Sequence, residues 1–314
     1  MIRAMARCFV TRRLPGQALE RLAAEHEVEV WEGDLPPAPA ELRERARAAE
    51  GLLCMLSDRV DAELLNGCPD LRAVANYAVG LDNVDLGEAR RRGIAVGNTP
   101  GVLTETTADL AFALMLAAAR RLSDAAASVR DGGWRTWEPA GWLGYDVHGA
   151  TLGIVGPGDI GMAVARRAEG FGMKVLLHGR ESKPGRVALE TLLAEADFLS
   201  LHCPLTEETR HLIDAGALRV MKPTAILVNT ARGEIVDSEA LRRALEEGWI
   251  AGAGLDVTEP EPLPPEHPLL DAPNLTVLPH VGSASHATRE AMAAISVDNL
   301  LAALAGKPMP HAAK

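Results

Sequence analysis

The stretch Thr151-Leu152-Gly153-Ile154-Val155-Gly156-Pro157-Gly158-Asp159-Ile160-Gly161 decides the fold. An apolar, β-branched run enters a turn of the form G-x-G-x-x-G, and an amphipathic stretch over 162–171 leaves it. The hexapeptide alone is a weak signal, but strand before and helix after turn it into a dinucleotide-binding fingerprint. Each glycine has a mechanical role: Gly156 makes the tight turn, Gly158 lets the backbone approach a pyrophosphate, and Gly161 lets helix and strand pack closely. The helix N-terminus then offers amide donors and the positive end of its dipole to phosphates. Asp159 places a negative charge near that anion site and is expected to turn outward; Ile160 completes the loop.

Downstream, the next strand (174–177) runs into His178-Gly179-Arg180-Glu181-Ser182-Lys183. An acidic residue at this strand end bonds the ribose hydroxyls and repels an added 2′-phosphate. Gly179 holds that slot, followed by Arg180, Ser182 and Lys183, so the pattern reads as NADP(H) preferred and NAD(H) possible. In the competing register Glu181 is the acidic residue and NAD(H) the partner. Further strands are expected at 198–201, 225–228, 250–254 and 275–278. Upstream, 7–10, 28–31, 51–56 and 72–75 read as strands separated by helices near 16–24, 40–49 and 61–66. Such alternation predicts an α/β chain with parallel sheets. Thr106, with Asp109 three residues on, reads as a capping box that opens an apolar helix ending near Arg120. The last helix, 286–305, is long enough to return to the first unit. The expected organisation is therefore a discontinuous substrate-binding domain, 1–100 plus 286–314, around a dinucleotide-binding domain, 101–285.

Composition narrows the partners. Of 314 residues 47% are hydrophobic and 24% charged, which excludes disordered and fibrous classes. The net charge of −11 repels phosphate backbones and anionic membranes, so no nucleic acid or membrane partner is expected, and an acidic substrate must be drawn by a local basic site. Cys8, Cys54, Cys68 and Cys203 form no CxxC pair, so neither a metal centre nor a disulfide scaffold is expected. The longest apolar run, 110–119, is half the ~20 residues a membrane span needs. No apolar segment suited to a signal peptide follows the start, and the expectation is a cytoplasmic protein.

Three charged residues follow strand ends, where ligands of open α/β sheets bind: Arg232 after 225–228, Glu261 after 250–254, and His280 after 275–278. Reduction of a ketone by hydride needs a proton donor at oxygen, for which histidine is suited. A carboxylate partner orients the ring and favours its charged form, and arginine offers planar, bidentate recognition of a carboxylate.

These residues lie in Asn229-Thr230-Ala231-Arg232-Gly233, Gly254-Leu255-Asp256-Val257-Thr258-Glu259-Pro260-Glu261-Pro262 and Leu278-Pro279-His280-Val281-Gly282-Ser283-Ala284. The three segments, in this order, resemble the signatures of the D-isomer-specific 2-hydroxyacid dehydrogenases, and within that family the chain is most similar to glyoxylate and hydroxypyruvate reductases. The resemblance implies two Rossmann-like or flavodoxin-like doubly wound domains with the active site in the cleft between them. It implies Arg232 as binder of the substrate carboxylate and carbonyl, Glu261 as the partner that keeps His280 protonated, and His280 as acid/base. It also implies that the amides of Val79 and Gly80 receive the substrate carboxylate, and that Thr107, Thr230, Asp256 and His280 lie near the cofactor. A homodimer follows, in which the tryptophan-rich segment 130–145 is an interface arm and Trp142 reaches the neighbour's substrate. The expected activity is NAD(P)H-dependent reduction of glyoxylate and hydroxypyruvate to glycolate and D-glycerate, with hydride to C2. Alternatives are an NAD-dependent D-3-phosphoglycerate or D-lactate dehydrogenase and a dinucleotide-sensing co-repressor.

Overall fold

Runs such as Gly51-Leu52-Leu53-Cys54 and Ile226-Leu227-Val228-Asn229 are apolar at nearly every position, which suits strands buried on both faces of a parallel sheet. The computed structural model describes residues 5–179 and 185–313, and there the chain divides into two compact units, Met1–Leu103 with Ser283–Lys314, and Thr104–Gly282.

In the first unit β1 (Arg7–Val10), β2 (Glu27–Val30), β3 (Gly51–Cys54), β4 (Ala73–Asn76) and β5 (Ala95–Gly97) pair in parallel in the order β2-β1-β3-β4-β5. This is the flavodoxin-like doubly wound order, with its switch point between β1 and β3. Successive residues of a strand face opposite sides. Phe9, Leu52 and Val74 accordingly enter one core layer, with Leu42, Leu64 and Leu65, while Val10, Leu53 and Ala75 enter the other, with Leu22. The C-terminal helix His286–Leu304 covers that second layer through Ala293, Val297 and Leu300. Its start is capped by Ser285, whose hydroxyl accepts from the Thr288 amide at 3.2 Å.

In the second unit β6 (Thr151–Val155), β7 (Lys174–His178), β8 (Phe198–Leu201), β9 (Ile226–Asn229), β10 (Gly252–Leu255) and β11 (Leu275–Val277) are all parallel, in the order β11-β10-β9-β8-β6-β7. Its switch point lies between β6 and β8, and the glycine turn leaves the end of β6. The expected doubly wound architecture is present in both units.

Two local expectations need correction, and two elements were not foreseen. The apolar helix spans Thr104–Ala119, so Thr106 lies inside its first turn and is not its cap. Strand β3 stops at Cys54 because the chain turns there: the Asp58 carboxylate accepts from the Met55 amide at 2.7 Å, and the Met55 carbonyl accepts from the Asp58 amide at 3.1 Å. The helix Leu122–Arg130 and the three-residue strand β5 had no sequence signal of their own.

Candidate active site

The glycine turn is built as its sequence requires. Gly156 sits at φ 89°, and a Cβ there would lie 2.4 Å from the Cys203 amide nitrogen. At Gly161 a Cβ would meet the Gly156 carbonyl oxygen at 2.4 Å, so helix and turn could not close. Gly158 is the N-cap of the helix Asp159–Gly170, supplies no side-chain cap, and a Cβ on it would meet nothing within 4 Å. Open space therefore lies above a helix start whose first amides have no intrahelical acceptor. Those features fit a pyrophosphate. Asp159 is exposed, as expected of an outward carboxylate, and Ile160 is half-buried behind it. Gly179 follows β7, with the Pro157 ring 3.0 Å from where its Cβ would stand. Arg180 and Ser182, with Glu181 and Lys183, lie outside the described residues.

Arg232, Glu261 and His280 follow the ends of β9, β10 and β11, all in the second unit, and two of them meet. His280 Nδ1 and Glu261 Oε1 are 2.6 Å apart. The histidine backbone is left-handed, φ 52°, a conformation that costs a non-glycine residue about 1 to 3 kcal/mol and persists only where its surroundings impose it. They do: the His280 amide donates to the Asp256 carbonyl at 2.9 Å, and the Asp256 carboxylate accepts from the amides of Val281 at 2.7 Å and Gly282 at 2.8 Å. Asp256 is 2% exposed, and burial pushes its carboxyl above the usual range against the pull of these donors and of His280. Thr107 Oγ1 donates to the Gly282 carbonyl at 3.2 Å and closes the same turn. On β9's side, Asn229 holds the turn that presents Arg232. Its side-chain nitrogen donates to the Arg232 carbonyl at 2.8 Å, and its oxygen accepts from the Ala231 amide at 3.0 Å. Gly233 makes the close approach possible, because a Cβ there would stand 2.0 Å from the Thr258 carbonyl oxygen. Neither Asn229 nor Gly233 was singled out from sequence; the signal was the N-x-x-R-G spacing.

Beside the glycine turn, Thr230 Oγ1 lies 3.4 Å from His202 Nδ1, and His202 Nε2 lies 2.8 Å from Ser200 Oγ. Burial lowers the His202 pKa to about 4, so the ring is neutral.

In the first unit the loop after β4 carries Val79 and Gly80. The Ala78 carbonyl accepts from the Thr99 amide at 2.9 Å, and the Val79 carbonyl from Asn98 Nδ2 at 2.8 Å. A trans peptide points its N–H opposite to its C=O, so the Val79 and Gly80 amides are turned away from Thr99 and Asn98. Asn76 Nδ2 fixes the Gly80 carbonyl at 2.8 Å. The loop's carbonyls are thus fixed by Thr99, Asn98 and Asn76.

Residues 112–282 match the model of the D-isomer specific 2-hydroxyacid dehydrogenase NAD binding domain. The chain belongs to this family. A glyoxylate reductase of Korarchaeum cryptofilum is 52% identical, with 97% of this chain and 95% of the relative covered. The TT0316 protein of Thermus thermophilus superposes with a TM-score of 0.94 at 53% identity, covering 98% of this chain and all of the other. An NADPH-dependent glyoxylate/hydroxypyruvate reductase from Sinorhizobium meliloti, solved with NADP and malonate, gives a TM-score of 0.86 at 36% identity, covering 99% and 97%. As a 2-hydroxyacid dehydrogenase carrying the family's NAD-binding domain, this chain is an oxidoreductase that uses a nicotinamide dinucleotide. Among the described residues no His, Cys, Asp or Glu cluster suits a metal, all four cysteines are buried thiols, and no helix is long and apolar enough to cross a membrane.

Proposed function

We propose that the protein reduces glyoxylate to glycolate and hydroxypyruvate to D-glycerate, with NADPH preferred over NADH. The observation that carries this reading is the His280–Glu261 pair, 2.6 Å apart at strand ends that also present Arg232. The names of the relatives from Korarchaeum and Sinorhizobium support the substrate class. When bound, the cofactor supplies a hydride for the substrate's C2. His280 delivers the proton to the carbonyl oxygen, and Glu261 orients its ring. Arg232 grips the carboxylate and carbonyl, and the Val79 and Gly80 amides receive the carboxylate. Gly156, Gly158, Asp159, Ile160 and Gly161 line the cofactor's pyrophosphate, with Thr107, Thr230 and Asp256 nearby, while selection of its 2′-phosphate is the role of Gly179, Arg180 and Ser182. Residues 1–100 with 286–314 serve the substrate, and 101–285 the dinucleotide.

A cytoplasmic homodimer completes the reading. Trp134, Trp137 and Trp142 are 70%, 79% and 46% exposed, and exposed aromatics of this kind suit an interface; Trp142 serves the neighbour's substrate. The decisive assay is the loss of NADPH absorbance with glyoxylate, hydroxypyruvate or pyruvate. His280→Ala should lower kcat by on the order of 10² to 10⁴ with cofactor affinity retained; an unchanged kcat, or no turnover of any of the three acids by the parent, would refute the assignment.

A further inference from the structure

Several arginines pair with carboxylates, and three in the first unit that have no such partner among the described residues lie together. Arg45 pairs with Glu29 at 2.8 Å, Arg72 with Glu50 at 2.7 Å, and Arg167 with Asp109 at 2.7 Å. Arg12, Arg13 and Arg289 instead line a pocket of about 480 Å³ at the carboxyl ends of β1 to β4. Arg12 is braced by the carbonyls of Gly33 at 2.6 Å and Asp34 at 2.7 Å, which fix its guanidinium without neutralising it. Arg13 is exposed and has no hydrogen-bond or ion-pair partner among the described residues. Arg289 Nε is buried with no acceptor among them, on a helical turn whose carbonyl accepts from the Tyr77 hydroxyl at 2.7 Å.

Apart from Glu32, the rest of the wall is apolar or aromatic. The Trp31 indole nitrogen is satisfied by the Leu35 carbonyl at 2.8 Å, leaving its ring to the pocket. Glu32 is the one carboxylate among the lining residues. Asp58, whose carboxylate is hydrogen-bonded by the Thr11 hydroxyl, is buried; burial raises its pKa and lessens what it offsets. A net positive pocket in a chain of charge −11 concentrates anions locally. Its volume leaves room for an anion larger than inorganic phosphate. The pocket spans the β1/β3 switch point, where sheets of this order bind ligands.

We propose that this pocket is a second ligand site, for a small organic dianion, and that it shares no residue with the catalytic set proposed above. Both a dicarboxylate and a phosphate ester have the chemistry the three guanidiniums read. Calorimetric titration of the full chain with malonate and with glycerol 2-phosphate distinguishes them, on the parent, Arg13→Ala and Arg232→Gln. Loss of one charge-assisted bond should weaken the bound probe by on the order of ten- to a hundredfold in Arg13→Ala. Arg232→Gln should leave that affinity unchanged, and Arg13→Ala should keep the parent's kcat/KM for glyoxylate. Binding of one probe alone names the source. Arg13 is exposed, so its variant tests binding rather than folding. Affinity lost in Arg232→Gln but kept in Arg13→Ala, or no saturable binding of either probe to the parent, would overturn the proposal. Neither result bears on turnover by His280, so the two readings fail separately.

Discussion

Replacing Gly233 with alanine should damage the enzyme more than any other single methyl in the loop after β9. The added Cβ would stand 2.0 Å from the Thr258 carbonyl oxygen, 2.1 Å from its carbon and 2.7 Å from the Glu259 nitrogen. Ordinary contact begins at 3.4 Å, so the two backbones must separate by roughly 1.4 Å. Neither side yields easily. Asn229 clamps the Arg232 turn, while Thr258 Oγ1 donates to the Pro260 carbonyl at 2.8 Å and Ser238 Oγ to the Glu259 carbonyl at 3.0 Å. Overpacking of this kind costs about 1 to 3 kcal/mol, and each kcal/mol lowers Tm by about 2 to 4 °C for a unit of this size. Because Arg232 precedes the glycine and Glu261 follows the displaced segment, a shift near 1 Å should cost on the order of 10² in kcat/KM. Steady-state NADPH oxidation and a thermal melt read both effects. Gly170→Ala is the control, since a Cβ there meets nothing within 4 Å, and it should be neutral. Parent-like kcat/KM and Tm in Gly233→Ala would show that the close approach does not position the trio.

Other perturbations separate the remaining roles. His202 is neutral in the fold with its pKa lowered to about 4, so below its unfolded value the denatured chain takes up a proton that the native chain refuses. Stability is fully present above about pH 6.5 and should fall by about 3 kcal/mol as pH drops to about 4. In urea melts His202→Asn should lose this increment of the pH dependence, and equal dependence in both proteins would contradict it. Asp256→Asn should leave one of the Val281 and Gly282 amides facing an NH2 group, lowering kcat while NADPH affinity, measured by fluorescence titration, persists; full activity would remove Asp256 from the positioning of His280. Arg180→Ala should weaken NADPH about ten- to a hundredfold and spare NADH, whereas equal losses for both cofactors would place the 2′-phosphate elsewhere.

The parallel strands were legible because their runs are apolar at consecutive positions, and the glycine turn because only glycine tolerates φ 89° against the Cys203 backbone. Less legible were features set by tertiary contact. Strand β5 is three residues long, and its Gly97 makes room for Asn299 of the distant C-terminal helix. The helix Leu122–Arg130 buries none of its residues, so no periodic apolar stripe announces it. The expected cap at Thr106 failed because a Ser/Thr-x-x-Asp pattern also occurs one turn inside a helix. For Val79 and Gly80 the proposed donors are main-chain groups, and the direction of their peptides is set by Asn76, Asn98 and Thr99; side-chain chemistry at 79 and 80 carries no trace of it.

Asp256 explains why the proposed acid/base pair needs so much unreactive sequence around it. Histidine at φ 52° would relax in an isolated loop. Here the end of β10 supplies a carbonyl for the His280 amide and a buried carboxylate for the next two amides, three hydrogen bonds converging on one turn. Gly282 is small because a Cβ would press to 3.1 Å from that carboxylate. Glu261 issues from the same strand end, five residues beyond Asp256. The 2.6 Å contact is therefore fixed by covalent and hydrogen-bonded connections to a single strand of the second unit. The imidazole's orientation is a property of the dinucleotide-binding unit, present before any substrate arrives, and so contributes to preorganisation rather than to binding.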